Sequence, residues 1–168
     1  SLKVASELGV KGVVFHTNYT PNFKLESYCD NWVMRNYEYW VKKLEKYPNL
    51  NIYMENMFDT DWLLLERFAK KLDDRENFGI CFDYAHGCVF GDEKEIEEWV
   101  IVLSPYIKHI HINDNDFKSD LHLALGDGKI DWCRFKKHYE TYFPDASVLV
   151  EMRGEEKIRK SLELLKKL

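Results

Sequence analysis

Residues 78–83, FGICFD, show the pattern on which the fold prediction depends: a short apolar run that ends on a carboxylate. Apolar runs of about four to eight residues bounded by polar ones are typical of buried strands. Four other runs have the same character, and each closes with an ionisable residue at or beside its last position: 11–16 (KGVVFH), 51–55 (NIYME), 107–112 (IKHIHI) and 147–151 (SVLVE). We therefore predict five strands.

The segments between these strands carry apolar residues at spacings of three and four, which predicts helices. A short helix ending at Gly9 precedes the first strand. The other predicted helices cover 28–47, 61–72, 93–103, 131–143 and 155–168. Regular alternation of strand and helix indicates a parallel sheet with helices outside it. This alternation leaves a doubly wound sheet and a (β/α) barrel as possibilities. No G-x-G-x-x-G motif or P-loop follows the first strand, and no linker divides the chain, so we predict a single domain covering 1–168.

Composition limits the class of protein. The chain has 168 residues, 45% hydrophobic and 32% charged, which is typical of one globular domain and excludes collagen and long disorder. Its apolar runs are too short for a membrane span, so we expect no membrane partner. A net charge of −5 makes nucleic acid an unlikely partner and favours a small molecule. The four cysteines form no C-x-x-C pair, and no targeting segment is visible, which predicts reduced thiols and a cytoplasmic location.

The residues that close the five strands indicate a functional site. In a parallel α/β fold all carboxyl ends lie at one face, and in a barrel they surround one mouth. One polar residue at a strand end is commonly a turn or cap residue, and His109 alone would be a packed interior histidine. Five such ends are harder to explain by turns. The predicted cluster contains His16, Glu55, Asp83, His111 and Glu151.

The chemistry of this cluster predicts a divalent metal ion. Carboxylates combined with imidazoles suit Zn, Mn, Co or Fe, whereas calcium prefers oxygen ligands alone. Carboxylates held close together repel one another, and a divalent cation would keep them ionised. We expect such an ion as the cofactor and no nucleotide cofactor.

Two local motifs add candidates. His86 lies three residues after Asp83 in the sequence DYAH, where a loop could return its imidazole to the same site. Asp120 and His122 precede the glycine turn LGDGKIDW (125–132). Each motif is weak alone, because the glycines could serve only the turn.

Taken together and in this order, these stretches resemble the xylose isomerase-like TIM-barrel superfamily, which includes sugar and sugar-phosphate isomerases and epimerases and endonuclease IV. The motifs are specific for the superfamily and not for one activity within it. The matching stretches are 12–16, 51–57, 82–86, 107–114, 120–132 and 149–154.

The ketose epimerases of this superfamily imply a single metal held by Glu55, Asp83, His111 and Glu151. The resemblance also implies that Glu55 and Glu151 are the catalytic acid and base, moving a proton next to a carbonyl while the metal stabilises an enediolate. His86 matches a substrate contact in these enzymes, and further candidate substrate contacts are Asp61, Asp114 and Lys118. The family's arginine six residues after the metal histidine is replaced here by Phe117, so free ketohexoses are less favoured as substrates.

The endonuclease IV branch is the alternative, because its three-zinc pattern matches four more residues: His16, His86, Asp120 and His122. That function would be zinc-dependent phosphodiester hydrolysis at abasic DNA. One further family histidine has no counterpart, and the acidic charge balance favours the sugar enzyme. A third possibility is a partial-barrel module that binds a metal or a partner without turnover.

Chain length bears on all three possibilities. A TIM barrel typically needs about 250 residues. The five predicted units correspond to strands four to eight, which leaves the amino-terminal strands missing and the first and last strands as unpaired edges. We therefore expect either a part of a longer protein or a homo-oligomer in which a second chain covers these edges.

Overall fold

A computed structural model describes residues 2–20 and 25–168, in which five strands form one parallel sheet with helices packed against it. A single turn of 3₁₀-helix at Ser104–Tyr106 precedes the fourth strand. In chain order the elements are α1 (Leu2–Glu7), β1 (Gly12–His16), α2 (Glu26–Lys46), β2 (Asn51–Glu55), α3 (Leu63–Lys71), β3 (Phe78–Asp83), α4 (Tyr84–Phe90), α5 (Ile96–Leu103), β4 (Ile107–Ile112), α6 (Trp132–Tyr142), β5 (Ser147–Val150) and α7 (Glu155–Leu165).

The strands follow one another across the sheet in the order β1-β2-β3-β4-β5, and every pair is parallel. A doubly wound sheet would reverse its strand order at a switch point, so the sequential order confirms a partial (β/α) barrel. Within the described residues, β1 and β5 each pair with one neighbour and form the two edges. None of the helices in this part of the chain is both long and apolar enough to cross a bilayer.

The hydrophobic core lies between the sheet and its helices. Alternate strand residues point outward and are almost completely buried there: Ile52, Met54, Ile80, Phe82, Ile110 and Ile112. The Phe82 ring stacks on Trp99 of α5, and the Phe15 ring packs on Trp40 of α2. Because side chains alternate along a strand, fixing this set outward turns the residues between them to the opposite, inner face. The packing therefore determines where the ionisable residues at the strand ends point.

One helix was not predicted, and another starts later than expected. Residues 84–90 form α4 directly after β3, where the sequence indicated a loop, and α5 begins at Ile96 rather than at residue 93. Asp83 explains the early start of α4, because its Oδ1 accepts a hydrogen bond from the backbone N–H of His86 at 2.7 Å and caps the new helix. The strand therefore passes into a helix without a loop.

The loops after β1 and β2 are tied together by Asp59. Its Oδ2 accepts hydrogen bonds from Thr17 Oγ1 at 3.0 Å and from the backbone N–H of Met57 at 2.9 Å. Its Oδ1 is buried and has no hydrogen-bond partner in the described part of the chain. Burial raises the pKa of Asp59 above its usual range, because the charged form loses hydration.

We predict that Asp59→Asn becomes more stable relative to the wild type as pH rises above about 4. The unfolded carboxyl ionises near pH 3.9, whereas the folded one holds its proton to higher pH. Between the pKa of the unfolded carboxyl and that of the folded one, the folded state binds more protons, so wild-type stability falls as pH rises. The asparagine variant has no carboxyl at this position and does not lose stability in this way. Melting temperatures of both proteins across this range provide the measurement. Asp145→Asn, at an exposed site, is the control. A variant-to-wild-type difference that does not change with pH would contradict the prediction.

Candidate metal centre

Four ionisable residues meet at the carboxyl ends of the strands. Glu55 ends β2, Asp83 ends β3 and His111 lies one residue before the end of β4. Glu151 follows β5, and its backbone N–H still bonds to Ile112 O at 2.9 Å, which continues the ladder by one residue. One ligand atom from each of these four lies within 4.8 Å of the others. We call Glu55, Asp83, His111 and Glu151 the four-residue centre.

His111 lies between the two glutamates of this centre. Its Nδ1 is 2.9 Å from Glu55 Oε1 and 3.0 Å from Glu151 Oε2. An imidazole nitrogen carries at most one hydrogen, so Nδ1 cannot donate to both carboxylates. The hydrogen bond goes to Glu55, and Glu151 Oε2 is left without a partner among the described residues.

Two more buried atoms of the centre, Asp83 Oδ2 and His111 Nε2, also lack hydrogen-bond partners in residues 2–20 and 25–168. Buried polar atoms are nearly always satisfied, so several in one place need an explanation. Two carboxylate oxygens, together with an imidazole nitrogen that has given up its proton, are ligands that divalent first-row metals accept. The residues present therefore fit such an ion.

Burial and close contacts shift the pKa values of three residues of this centre. Burial raises the pKa of Asp83 well above its usual range. Burial opposes the charged form of His111, yet contacts with the Cys81 thiol and the two glutamates outweigh it and raise the pKa of His111 to about 12. The imidazolium in turn lowers the pKa of Glu151 to about 2. A bound divalent cation would supply the same positive charge and displace the imidazole proton.

Asn56 orients this centre, and sequence reasoning did not identify it. Its side chain makes two hydrogen bonds with the backbone of Asp83, donating from Nδ2 to O at 2.9 Å and accepting at Oδ1 from N–H at 2.8 Å. Asn56 is a buried polar residue directly after Glu55 in the sequence MENM. That position, next to a candidate ligand, was the available signal.

A second group lies beside the first and contains His86, Asp120 and His122, whose ligand atoms also fall within 4.8 Å of one another. Asp120 Oδ2 is 3.3 Å from His86 Nε2 and 3.2 Å from His122 Nε2. The other ring nitrogens contact backbone carbonyl oxygens, His86 Nδ1 that of Asn56 at 3.0 Å and His122 Nδ1 that of Glu151 at 2.7 Å.

These carbonyl contacts determine the tautomers of both histidines. A carbonyl oxygen only accepts, so each Nδ1 carries a hydrogen, and each Nε2 reaches Asp120 Oδ2 as a donor. Burial opposes the charged form of His86, yet the hydrogen bond to Asp120 outweighs it and raises the pKa of His86 to about 9. Loss of the Nε2 protons to a bound cation would free both lone pairs for it. Metal-binding histidines are commonly anchored in this way. Asp120 Oδ1 is buried and unpartnered in the described part of the chain, and His122 has a left-handed backbone with φ 45°. Such strain costs roughly 1 to 3 kcal/mol and often marks a functional site. The group is suited to a second cation.

Three further predicted residues lie around this face with different surroundings. His16 Nε2 is 3.3 Å from Glu55 Oε2, so His16 contacts the four-residue centre from the β1 side. Asp61 is exposed in the turn before α3 and accepts from the backbone N–H of Leu63 at 3.1 Å. Lys118 is exposed on the loop after β4. The structure brings His16 into contact with the centre, and it shows no such contact for Asp61 or Lys118 in the described residues.

Asp114 corrects the sequence prediction of a substrate contact. It is completely buried, and each carboxylate oxygen accepts two hydrogen bonds. Oδ1 accepts from the backbone N–H groups of Asn115 at 2.9 Å and Ile130 at 3.2 Å. Oδ2 accepts from the backbone N–H of Gly126 at 2.8 Å and from Trp132 Nε1 at 2.9 Å. With both oxygens engaged, Asp114 holds the loop together and has no free atom for a substrate.

Comparisons with known proteins agree with this architecture. A family model described as "Xylose isomerase-like TIM barrel" matches residues 1–168. The uncharacterized protein MJ1311 of Methanocaldococcus jannaschii is 27% identical over 175 residues, which cover 99% of this chain and 59% of that protein. Apurinic-apyrimidinic endonuclease 1 of Plasmodium berghei is 32% identical over 103 residues, which cover 52% of this chain and 20% of that protein.

Solved structures of similar proteins share this fold. A D-tagatose 3-epimerase-like protein superposes with a TM-score of 0.80 at 27% identity, covering 99% of this chain and 64% of that one. The TTHB071 protein from Thermus thermophilus, soaked with ZnCl₂, gives a TM-score of 0.74 at 24% identity, with the same coverage of 99% and 64%. The chain thus spans less than two thirds of the length of these relatives.

Proposed function

Because the chain belongs to the xylose isomerase-like TIM barrel family, we propose that it is a divalent-metal-dependent isomerase or epimerase acting on a sugar or a sugar derivative. The observation that carries this proposal is the convergence of Glu55, Asp83, His111 and Glu151 within 4.8 Å at the carboxyl ends of the strands. The likeness to a D-tagatose 3-epimerase-like protein, at 27% identity, supports the same class of reaction.

The two glutamates are the proton-transferring residues in this proposal. When bound, a divalent ion would withdraw electrons from the carbonyl oxygen beside the reacting carbon and so acidify its C–H bond. Glu151 can reach a substrate, because 36% of its side chain is exposed. Glu55 is only 2% exposed and is held between His111 and His16. In this proposal Glu151 keeps the proton that it removes, and Glu55, which must carry a proton of its own before the reaction, would donate that proton to the carbon from the other side of His111.

Metal binding gives the first test. Protein from which a chelator has removed all metal should take up at least one Zn, Mn, Co or Fe ion. We predict that Asp83→Asn weakens this binding at least tenfold. Loss of a residue that only orients a metal ligand typically lowers affinity roughly 10- to 100-fold, and this change removes the charge of a ligand itself. The amide keeps an oxygen that can still cap α4, so the fold should persist. Asp145→Asn, at an exposed site, serves as the control. Calorimetric titration measures both variants. A wild-type chain that binds no divalent ion would contradict the proposal.

Turnover gives the second test. The metal-loaded chain is incubated in D₂O with a panel of aldoses, ketoses and their phosphates, and deuterium is followed by NMR. Proton removal next to a carbonyl incorporates solvent deuterium at that carbon, even where the net conversion is small. Incorporation that needs both the metal and the protein supports the proposal. No incorporation with any sugar on the panel counts against it.

A second candidate function is zinc-dependent cleavage of abasic DNA, favoured by the group His86, Asp120 and His122. Two adjacent cation sites can stabilise both the attacking and the leaving oxygen of a phosphodiester. The 32% identity to an apurinic-apyrimidinic endonuclease over 52% of this chain supports it, and the net charge of −5 opposes it. The test incubates the same metal-loaded protein with an abasic-site duplex. Strand cleavage at catalytic rates without deuterium exchange into any sugar would make this the better assignment.

A further inference from the structure

A cavity of about 530 Å³ adjoins both candidate metal groups. Its size lies within the range of roughly 300 to 1,000 Å³ that is typical of small-molecule sites. Glu151 of the four-residue centre and His122 of the second group both line it, so a molecule there would lie beside the proposed reacting position. The remaining lining residues are Leu121, Met152, Arg153 and Lys157.

The two cations of this cavity come from one short segment after β5. Arg153 follows Glu151 by two residues, and Lys157 lies in the first turn of α7. Lys157 Nζ donates to the backbone oxygen of His122 at 3.2 Å, and His122 Nδ1–H donates to the backbone oxygen of Glu151 at 2.7 Å. These contacts attach the ammonium group to the loop that carries His122, so its charge has a fixed place at the cavity wall.

Neither cation is neutralised by a carboxylate in the described part of the chain. Arg153 forms no ion pair there, and Lys157 donates only to a carbonyl oxygen. Four of the other five arginines of this acidic chain do pair with carboxylates, namely Arg67, Arg75, Arg134 and Arg159. Arg153 is therefore available for an anion from outside the chain. A guanidinium binds phosphate or carboxylate through paired N–H donors, and a lysine adds a point charge.

We propose that Arg153 and Lys157 bind the anionic end of the substrate, a phosphate or a carboxylate, while its reacting carbon lies beside Glu151. This inference rests on the proposed function and narrows the substrate to a sugar phosphate or a sugar acid. A neutral sugar offers nothing that these two cations would bind strongly.

Binding is tested first on metal-free protein, so that a bound metal ion cannot be the group that binds the anion. Inorganic phosphate, glycerate and glycerol are titrated by calorimetry to represent a phosphate, a carboxylate and a neutral polyol. Phosphate or glycerate should bind and glycerol should not, and the stronger anion identifies the substrate class. Arg153→Ala should weaken anion binding roughly 10- to 100-fold, as expected for loss of charged hydrogen bonds. Arg35→Ala removes an exposed arginine on α2 and is the matched control.

The outcomes separate this inference from the proposed function. Anion binding that is absent from the wild type, or is unchanged in both Arg153→Ala and Lys157→Ala, overturns the inference and leaves metal binding and sugar exchange untouched. Arg153-dependent anion binding in a chain that takes up no metal overturns the proposed function instead. If an anionic sugar is found to be a substrate, Arg153→Ala should raise its KM and leave kcat nearly unchanged. The contact between Arg153 and the anionic group is made equally before and during proton transfer.

Discussion

Glu151→Gln is expected to lower kcat for deuterium exchange by roughly 10²- to 10⁴-fold, the usual contribution of a positioned general base. The amide has nearly the shape of the carboxylate but cannot take a proton from carbon. Glu151 is 36% exposed whereas Glu55 is only 2% exposed, so Glu151 is the better placed of the two glutamates to act as the base. The measurement is incorporation of solvent deuterium into the best sugar at saturating metal.

Saturating metal is essential to this experiment, because Glu151 is also a candidate ligand. Three ligands remain in Glu151→Gln, and the variant should still take up the ion at a higher concentration. If excess metal restores the rate, Glu151 acts only as a ligand and the assignment as a base is wrong. Glu163→Gln, an exposed position on α7, should exchange at the wild-type rate. Equal rates for the two variants would also reject the assignment.

The strands were predictable because each apolar run has a definite end. Predicted and observed strands differ by a single residue at 11–16 and at 147–151 and agree in the other three. The alternation of side chains then implies which residues leave the core, so placing Glu55, Asp83 and His111 on one face needed no knowledge of contacts. Local sequence carries this information because both the strand and the direction of its side chains are set by neighbours along the chain.

Helix α4 could not be predicted in the same way because Gly87 lies within it. Glycine disfavours helix interiors, and its local signal therefore indicates a break. In the structure α4 forms all the same, capped by Asp83 and packed against α5, where Ile96 Cδ1 would lie 2.8 Å from a Cβ at Gly87 and would have to shift. This packing is a tertiary contact that the local sequence does not contain. The same is true of Asn56, whose role depends on the neighbouring strand β3.

Asp114 shows the same limit at the candidate site. Its position just beyond β4 predicted a substrate contact, but its oxygens bind donors from residues up to 18 positions later in the chain. Three of the four donors belong to the glycine turn and to the start of α6, and the fourth is the adjacent backbone N–H of Asn115. At Gly128 a Cβ would lie 2.2 Å from Asp114 Oδ1, so this glycine is required for the close approach of the loop to the carboxylate. A loop that closes on a buried carboxylate is not visible in any local pattern.

Asp114→Asn should therefore destabilise the protein by roughly 2 to 6 kcal/mol. The amide replaces one acceptor oxygen by an NH₂ group, and in either orientation two N–H donors, at least one of them buried, lose their acceptor. Each buried group left unsatisfied costs about 1 to 3 kcal/mol. Urea unfolding of wild type and variant, compared at unchanged m-value, measures the difference. Asp131→Asn is a matched control in the same loop, because Asp131 caps α6 and asparagine caps helices equally well.

Loss of the Asp114 hydrogen bonds should also affect the second group of candidate metal ligands, His86, Asp120 and His122. A backbone bridge joins Asp114 to Leu123, with N–H···O distances of 3.0 and 2.9 Å, and residues 115–122 form the loop between them. Asp120 and His122 lie on this loop, whereas the four-residue centre is held by strands and by Asn56. Loosening the loop should weaken binding of a second ion more than binding of the first. If Asp114→Asn unfolds in the same urea range as Asp131→Asn, Asp114 does not hold the loop, and its buried carboxylate would again be a candidate for direct chemistry.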